Sequence, residues 1–253
     1  EAAVRWGVRM GKVMQGDCRT EMKSLEDKSI DCIYMDPPFN SNSDYMLNTE
    51  NHLGFSDKFD TNQSYIELIE PILIEAKRIL TTGASLYFHI SAAEMLIPHM
   101  LCRKYFERVQ PIFWKKSRSK NNVKSKLGAT IDVILWCSST KKPTYHIVYQ
   151  PLDEYYAHNS YKNTDRRGNY ALGHIVYTKT QKTKNVDRLY ALTHEGVTYA
   201  PTNGWRLSKK DLESLIEEDR IHFPKKAGAN LYKKIYKHES KGKPCTDLWD
   251  DIH

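Results

Sequence analysis

The sequence predicts an α/β fold built on a mainly parallel sheet, followed by a smaller second region. Three observations lead there. Over residues 1–145, apolar runs of strand length alternate with segments of helical spacing, the pattern of strand–helix–strand units. One of those runs, Ile30 to Met35, reads as a strand buried on both faces and stops at Asp36-Pro37-Pro38-Phe39. Past about residue 145 the chain turns tyrosine- and charge-rich, with weak periodicity. The predicted division is therefore 1–145 and 146–253.

In chain order, "GKVMQGDC" reads as a short strand running into a turn at Gly16. "RTEMKSLED" reads as a brief helix, and "SIDCIYM" as the buried strand. In "NQSYIELIEPILIEAKRIL", the residues Ile66, Ile69, Leu73, Ala76 and Leu80 keep helical spacing. Pro71 lies inside that pattern and predicts a kink or the start of a second helix. Gly83 supplies a C-terminal stop. "ASLYFHI" is the next strand, and "AAEMLIPHMLCRKYF" a helix interrupted by Pro98. "VQPIFWKK" and "IDVILWCS" are strands on either side of a basic loop. Short strands and loops then lead to "LSKKDLESLIEEDRIHF", a helix with Ser208 as N-cap and Asp211 placed to return the hydrogen bond.

The tetrad Asp36-Pro37-Pro38-Phe39 is the chemical signal. Ligands of open α/β sheets sit beyond the carboxyl ends of strands. Asp36 offers acceptor oxygens, Pro37 a carbonyl without an N–H, and Phe39 a flat apolar face. The set suits a planar ring bearing an exocyclic amine. The amine donates to the Asp36 carboxylate and the Pro37 carbonyl while the ring stacks on Phe39. Two acceptors on one amine draw its nitrogen toward tetrahedral geometry and free the lone pair to attack an electrophile. The plainer reading is a strand end with a proline turn, where Asp36 caps a helix.

Bulk composition narrows the class. With 40% hydrophobic and 27% charged residues the chain is globular, and no apolar run approaches the roughly 20 residues of a membrane span. Five scattered cysteines and ten histidines form no CxxC or HExxH pattern, so no metal is assigned. The odd cysteine count favours reduced thiols and a cytoplasmic setting, nucleoid-associated if prokaryotic. The formal charge of +7 favours a polyanion partner. It concentrates in "KKSRSKNNVKSK", residues 115–126, where Lys115, Lys116, Arg118, Lys120, Lys124 and Lys126 stand without an acid. That stretch is either a solvated loop or a phosphate-contacting one. In the second region Arg166, Arg167 and Arg206 are candidates for phosphate and base-edge contacts, with ordinary surface charge as the other reading of each.

Taken in order, these segments resemble the amino-group DNA methyltransferases that modify adenine N6 or cytosine N4. The similarity is greatest to the permuted class whose tetrad lies near the N-terminus, including the modification subunits of type III restriction systems. "GDC" at 16–18, "SIDCIYMDPPFNSNSDY", "SYIELIEPILIEAKRIL" with "TGASLYFHI", "IDVILWCSS", "NTDRRGNYAL", "GWRLSKKDLESLIEEDRIHF" and "TDLWDDI" carry it across most of the chain. The resemblance implies a Rossmann-like methyltransferase sheet, S-adenosylmethionine as methyl donor, double-stranded DNA as substrate and a base flipped out of the duplex. It implies that Asp36, Pro37 and Phe39 bind and activate the base and that Pro38 shapes the turn. Asp17 would accept from the cofactor's adenine amine, and Asn40 and Ser41 would belong to the loop closing over the site. Transfer would be direct, with no covalent enzyme intermediate.

Aspartate at the head of the tetrad favours adenine N6, with cytosine N4 as the alternative. A Pro-Cys pair occurs at Pro244–Cys245, but no buried strand precedes it, which argues against cytosine-C5 chemistry. Thr130 and Ile131 replace a histidine that many relatives carry before the equivalent of Asp132. Family members continue past "LWDDI" to a cofactor-binding glycine loop. The twelve glycines here form no GxG, so the predicted sheet is incomplete. The chain is then part of a longer protein, or is completed by a second copy or complementary subunit, or is an inactive DNA-binding subunit that needs a partner. A restriction subunit is a further expected partner. Residues 146–253 are expected to hold target recognition and a return segment.

Overall fold

The computed structural model describes residues 11–46, 53–116, 127–178, 183–224 and 229–250. They cluster into two compact units, one within 1–146 and 246–253, the other within 147–245. The first contains α1 (Cys18–Glu21), β1 (Ile30–Met35), β2 (Ser43–Met46), β3 (Leu53–Asp57), α2 (Asn62–Ile79), β4 (Leu80–Ser91), α3 (Leu96–Tyr105), β5 (Arg108–Lys115) and β6 (Ile131–Ser138). The second contains β7 (Tyr149–Gln150), α4 (Glu154–Ser160), β8 (Asn163–Asp165), β9 (Gly168–His174), β10 (Leu192–His194), β11 (Val197–Tyr199), α5 (Lys209–Glu217), β12 (Ile221–His222), β13 (Tyr232–Tyr236) and β14 (Lys243–Pro244). A last strand, β15 (Leu248–Trp249), belongs to the first unit.

The main sheet has the order β1-β4-β6-β5-β15. β1 runs parallel to β4 and β15 parallel to β5, while β6 is antiparallel to both of its neighbours. Four of the five strands therefore share one direction and only β6 is reversed, so the sheet is mainly parallel as expected. Alternation along β4 and β6 sorts side chains to two faces. Leu86, Phe88, Ile90, Val133, Leu135 and Cys137 pack against α2 and α3 through Tyr65, Ile69, Leu73, Ala76, Leu101 and Cys102. Cutting one such buried leucine to alanine costs about 2–5 kcal/mol. The opposite face carries Ile112, Ile134 and Trp136, with Tyr87, Trp114 and Trp249 against them.

Several local expectations change. Residues 11–17 form no strand, and Val13 is exposed. β1 is not buried on both faces: it lies at the sheet edge, and Asp31, Cys32 and Tyr34 are exposed. Pro71 neither breaks α2 nor starts a second helix, because it and Glu67, whose carbonyl it leaves unpaired, lie on the exposed side where water reaches. α2 stops at Ile79, before Gly83, because the N–H groups of Lys28 and Ser29 take the carbonyls of Arg78 and Ile79. Gly83 instead sits in β4 at φ +84°, where a Cβ would meet the Thr144 hydroxyl at 3.1 Å. Pro98 falls in the first turn of α3, where its missing N–H has no helical partner to lose, so it interrupts nothing.

The second unit centres on an antiparallel sheet of order β12-β13-β9-β8. Ile175, Val176, Leu192, Trp205, Leu212, Ile221 and Leu231 form a core beside it, and the Trp205 indole N–H donates to the Tyr190 carbonyl. α5 starts at the predicted N-cap, with Ser208 and Asp211 exchanging hydrogen bonds. Among the described residues no helix is long and apolar enough to cross a membrane.

Candidate active site

Strand chemistry places the tetrad. Pro37 and Pro38 have no N–H for a sheet ladder, so β1 must end at Met35. β1 and β4 are in parallel register with Met35 beside Phe88, and one step further sets Asp36 beside His89. The Asp36 side chain is 60% exposed, and its Oδ1 lies 3.1 Å from His89 Nδ1. Among the described residues no donor reaches the Pro37 carbonyl. The Pro38 carbonyl accepts from the buried Tyr65 hydroxyl at 3.1 Å. Burial pushes that phenol up, so it stays a neutral donor. The partly buried Phe39 meets the His89 ring edge-on, 5.1 Å between centroids and 77° between planes. Asp36 is thus exposed at the strand end, while the Pro38 carbonyl and the Phe39 ring are engaged by Tyr65 and His89.

The loop after the tetrad is fixed by Asp57, at the end of β3 and 1% exposed. Its carboxylate accepts from the backbone N–H of Asn40 at 2.7 Å, from that of Ser41 at 2.9 Å, and from the Ser41 hydroxyl. Asn40 and Asn42 take left-handed backbone angles, φ +60° and +56°, which asparagine tolerates better than most side chains. A buried carboxylate with three donors is well satisfied.

His89, in β4, is buried between two acids. Its Nε2 lies 3.5 Å from Asp132 Oδ2, and Asp132 Oδ1 accepts from Lys116 Nζ at 2.8 Å. Asp132 is 6% exposed, at the start of β6. The Trp114 and Tyr34 rings stand 5.6 Å and 6.2 Å from the imidazole. A row Asp36–His89–Asp132–Lys116 therefore crosses one face of the sheet. His89, Asp57 and Tyr65 were not singled out from sequence. The alternation in "LYFHIS" is the available signal for His89, since it puts a polar ring on the face opposite Leu86, Phe88 and Ile90.

The other expected site residues fall out unevenly. Asp17 caps α1 and is exposed. Its oxygens accept from the Arg19 backbone N–H at 2.9 Å and from the Arg19 guanidinium in a bidentate pair. Those Arg19 bonds hold the carboxyl down at about 2. Lys116 is not free for a phosphate, because Asp132 holds it. Lys115 is exposed at the end of β5. Arg118, Lys120, Lys124 and Lys126 lie outside the described residues. Arg166 is 75% exposed and reaches Asp219 at 3.6 Å. The exposed Arg167 gives its backbone N–H to Asp165, and the Arg206 guanidinium lies 5.6 Å from the centre of the Tyr177 ring.

The DNA methylase family model for N6 and N4 amino methylation matches residues 30–253. The chain belongs to this family. It is 22% identical over 274 aligned residues to the Mod subunit of the type III restriction-modification enzyme StyLTI of Salmonella typhimurium, covering 94% of this chain and 40% of that protein. It is 26% identical to the DNA adenine methyltransferase YhdJ of Escherichia coli K12, covering 52% of this chain and 42% of that one. This DNA methylase chain thus spans less than half the length of those curated relatives. Among solved structures it resembles the M1.HpyAVI–SAM complex, at 16% identity and a TM-score of 0.34, covering 56% of this chain and 60% of that one.

The family takes its methyl group from S-adenosylmethionine. Of the residues assigned to that molecule, Asp17 is bonded to Arg19 and the Ser41 hydroxyl to Asp57, and Asn40 gives its N–H to Asp57.

Proposed function

We propose that this chain binds and activates the exocyclic amine of a base flipped out of double-stranded DNA, adenine N6, for methylation. S-adenosylmethionine supplies the electrophilic methyl group when bound. The observation that carries the reading is the exposed Asp36 carboxylate just past the end of β1, followed by a Pro37 carbonyl that no described donor occupies. An amine with two hydrogens can donate one to each, and the partly buried Phe39, two residues past Pro37, is the ring proposed to stack on the base. Catalysis is then positioning and polarisation, with no covalent intermediate. The likeness to a DNA adenine methyltransferase supports adenine as the base. Asn40 and Ser41, pinned by Asp57, are proposed to keep the tetrad loop closed beside the target. A restriction subunit, by analogy with the StyLTI Mod subunit, and a second copy or complementary subunit are proposed partners.

The test is methyl transfer from tritiated S-adenosylmethionine to unmethylated genomic DNA, followed by digestion to nucleosides. N6-methyldeoxyadenosine is the expected product. N4-methyldeoxycytidine instead would move the target to cytosine, and DNA binding without any product would mark an inactive recognition subunit.

Residues 147–245 are proposed to read the DNA sequence, using Arg166, Arg167 and Arg206, while the loop from Lys115 holds the phosphates. Neutralising Lys115, Arg118, Lys120, Lys124 and Lys126 together should weaken binding and flatten its dependence on salt. Each lost phosphate contact lowers the log–log slope by about 0.9. An unchanged slope, read by fluorescence anisotropy from 50 to 200 mM salt, would remove the loop from the interface.

A further inference from the structure

We infer that His89 is the positioning residue for Asp36, held in turn by Asp132 and Lys116. The inference rests on the amine-methylation reading above and adds a residue to it. His89 is 8% exposed, and both of its ring nitrogens are shielded from solvent. Each faces a carboxylate oxygen, Asp36 Oδ1 at 3.1 Å and Asp132 Oδ2 at 3.5 Å, yet neither contact has hydrogen-bond angles. Buried polar atoms left without a well-made bond are uncommon and call for a reason. A residue serving only as filler among Phe39, Trp114 and Tyr34 would be better apolar, because desolvating an imidazole without bonds is unfavourable.

The geometry supplies a reason. Asp36 is exposed at a sheet edge, and among the described residues its carboxylate has no other neighbour of hydrogen-bonding reach. A carboxylate that must meet an amine at a fixed angle needs support from a buried group. A proton on Nδ1 directed at Oδ1 leaves Oδ2 for the amine. The same ring bears on the edge of Phe39, so one buried side chain sets both the acceptor and the stacking plate. Asp132 faces the far nitrogen, and Lys116 fixes Asp132. Bonds of this kind lengthen in the free enzyme and tighten when the substrate arrives.

Two measurements on the full chain decide it. The first uses no cofactor and no DNA: the ¹⁵N shifts of the His89 ring. Asp36→Asn should move Nδ1 and Asp132→Asn should move Nε2. A ring indifferent to Asp36→Asn overturns the inference, and since Asp36 is exposed that variant tests the contact without disturbing the core. The second is single-turnover methylation of unmethylated genomic DNA. His89→Leu should lose rate by about 100-fold, the scale of a misplaced reacting group, with KM for DNA little changed. His89→Asn keeps an N–H near the position of Nδ1 and should recover most of that loss. Equal losses in the two variants overturn the positioning role. No methylation by the unaltered chain would instead overturn the functional reading, and the ring shifts would still report on the contact.

Discussion

Asp36→Ala loses methyl transfer by about 10³-fold, roughly 4 kcal/mol of barrier, while DNA affinity stays near that of the unaltered chain. The asymmetry follows from where the carboxylate sits. It lies just past the end of β1 with most of its side chain in solvent, so removing it opens no cavity and strands no buried partner except one face of His89. DNA affinity comes chiefly from cations on phosphates, and Asp36 contributes none. What disappears, on the proposed function, is the acceptor that polarises the amine. Asp36→Asn keeps an oxygen at the same reach but loses its charge, and should fall between the two. Single-turnover rates and anisotropy titrations on the same preparations separate these effects. Equal turnover by Asp36→Ala and the unaltered chain would remove the tetrad from the chemistry. A parallel loss of affinity would make Asp36 a binding group and not an activating one.

The tetrad was legible because its residues act locally: two prolines must end a strand, and an acid and an aromatic ring beside them carry their own chemistry. The α5 cap was legible for the same reason, since Ser208 and Asp211 need only one turn of helix to meet. What escaped depends on register and on distant contacts. His89 meets Asp36 only because Met35 pairs with Phe88, a parallel register that neither strand specifies alone. Asp57 lies sixteen residues beyond Ser41, and nothing in "GFSDKF" marks it as the anchor of that loop. β1 was expected to be buried on both faces because its composition suits that, yet composition does not fix strand order, and β1 lies at the edge. Lys116 stood in a run of cations and looked like its neighbours. The acid that claims it, Asp132, comes from the next strand, and Trp114 and Asp132 sit opposite each other in the ladder. Pro71 misled for a related reason, because whether a helical proline is tolerated depends on which side of the helix faces water.

In the second unit, Lys234→Met destabilises the fold by about 1–3 kcal/mol, less than for a fully buried pair because Asp165 and Asp219 keep part of their side chains in water. Lys234 stands in β13 with its side chain 10% exposed. Its ammonium donates to Asp165 at 2.9 Å and Asp219 at 3.0 Å, and lies 5.5 Å from the centre of the Tyr170 ring. The Tyr236 hydroxyl donates to the same Asp165 oxygen. Burial alone would raise the Asp165 carboxyl, but Lys234, the Arg167 N–H and Tyr236 together hold it at about 2, below its ordinary 3.8. The depressed value fixes the sign. The stabilisation from Asp165 is complete above its ordinary pKa and is lost as pH falls from about 4 toward 2. Lys234 shows the opposite case, with burial pulling its ammonium down and the two carboxylates lifting it above 10.5. Its share is therefore complete below pH 10.5 and is lost as pH rises beyond that. Urea unfolding at a series of pH values should show both flanks in the unaltered chain and smaller ones in Lys234→Met, where the Arg167 N–H and Tyr236 still hold Asp165 down in part. Identical midpoints and pH curves would mean the network stabilises nothing. Lys234→Met with Asp165→Asn should recover part of the loss, because the stranded charge goes with its partner. Arg166 and Arg167 sit in the turn between β8 and β9, bound to Asp219 and Asp165, the same two acids that Lys234 holds. If they are the DNA contacts proposed above, Lys234→Met should weaken DNA binding even where the unit remains folded, by releasing the turn that presents them.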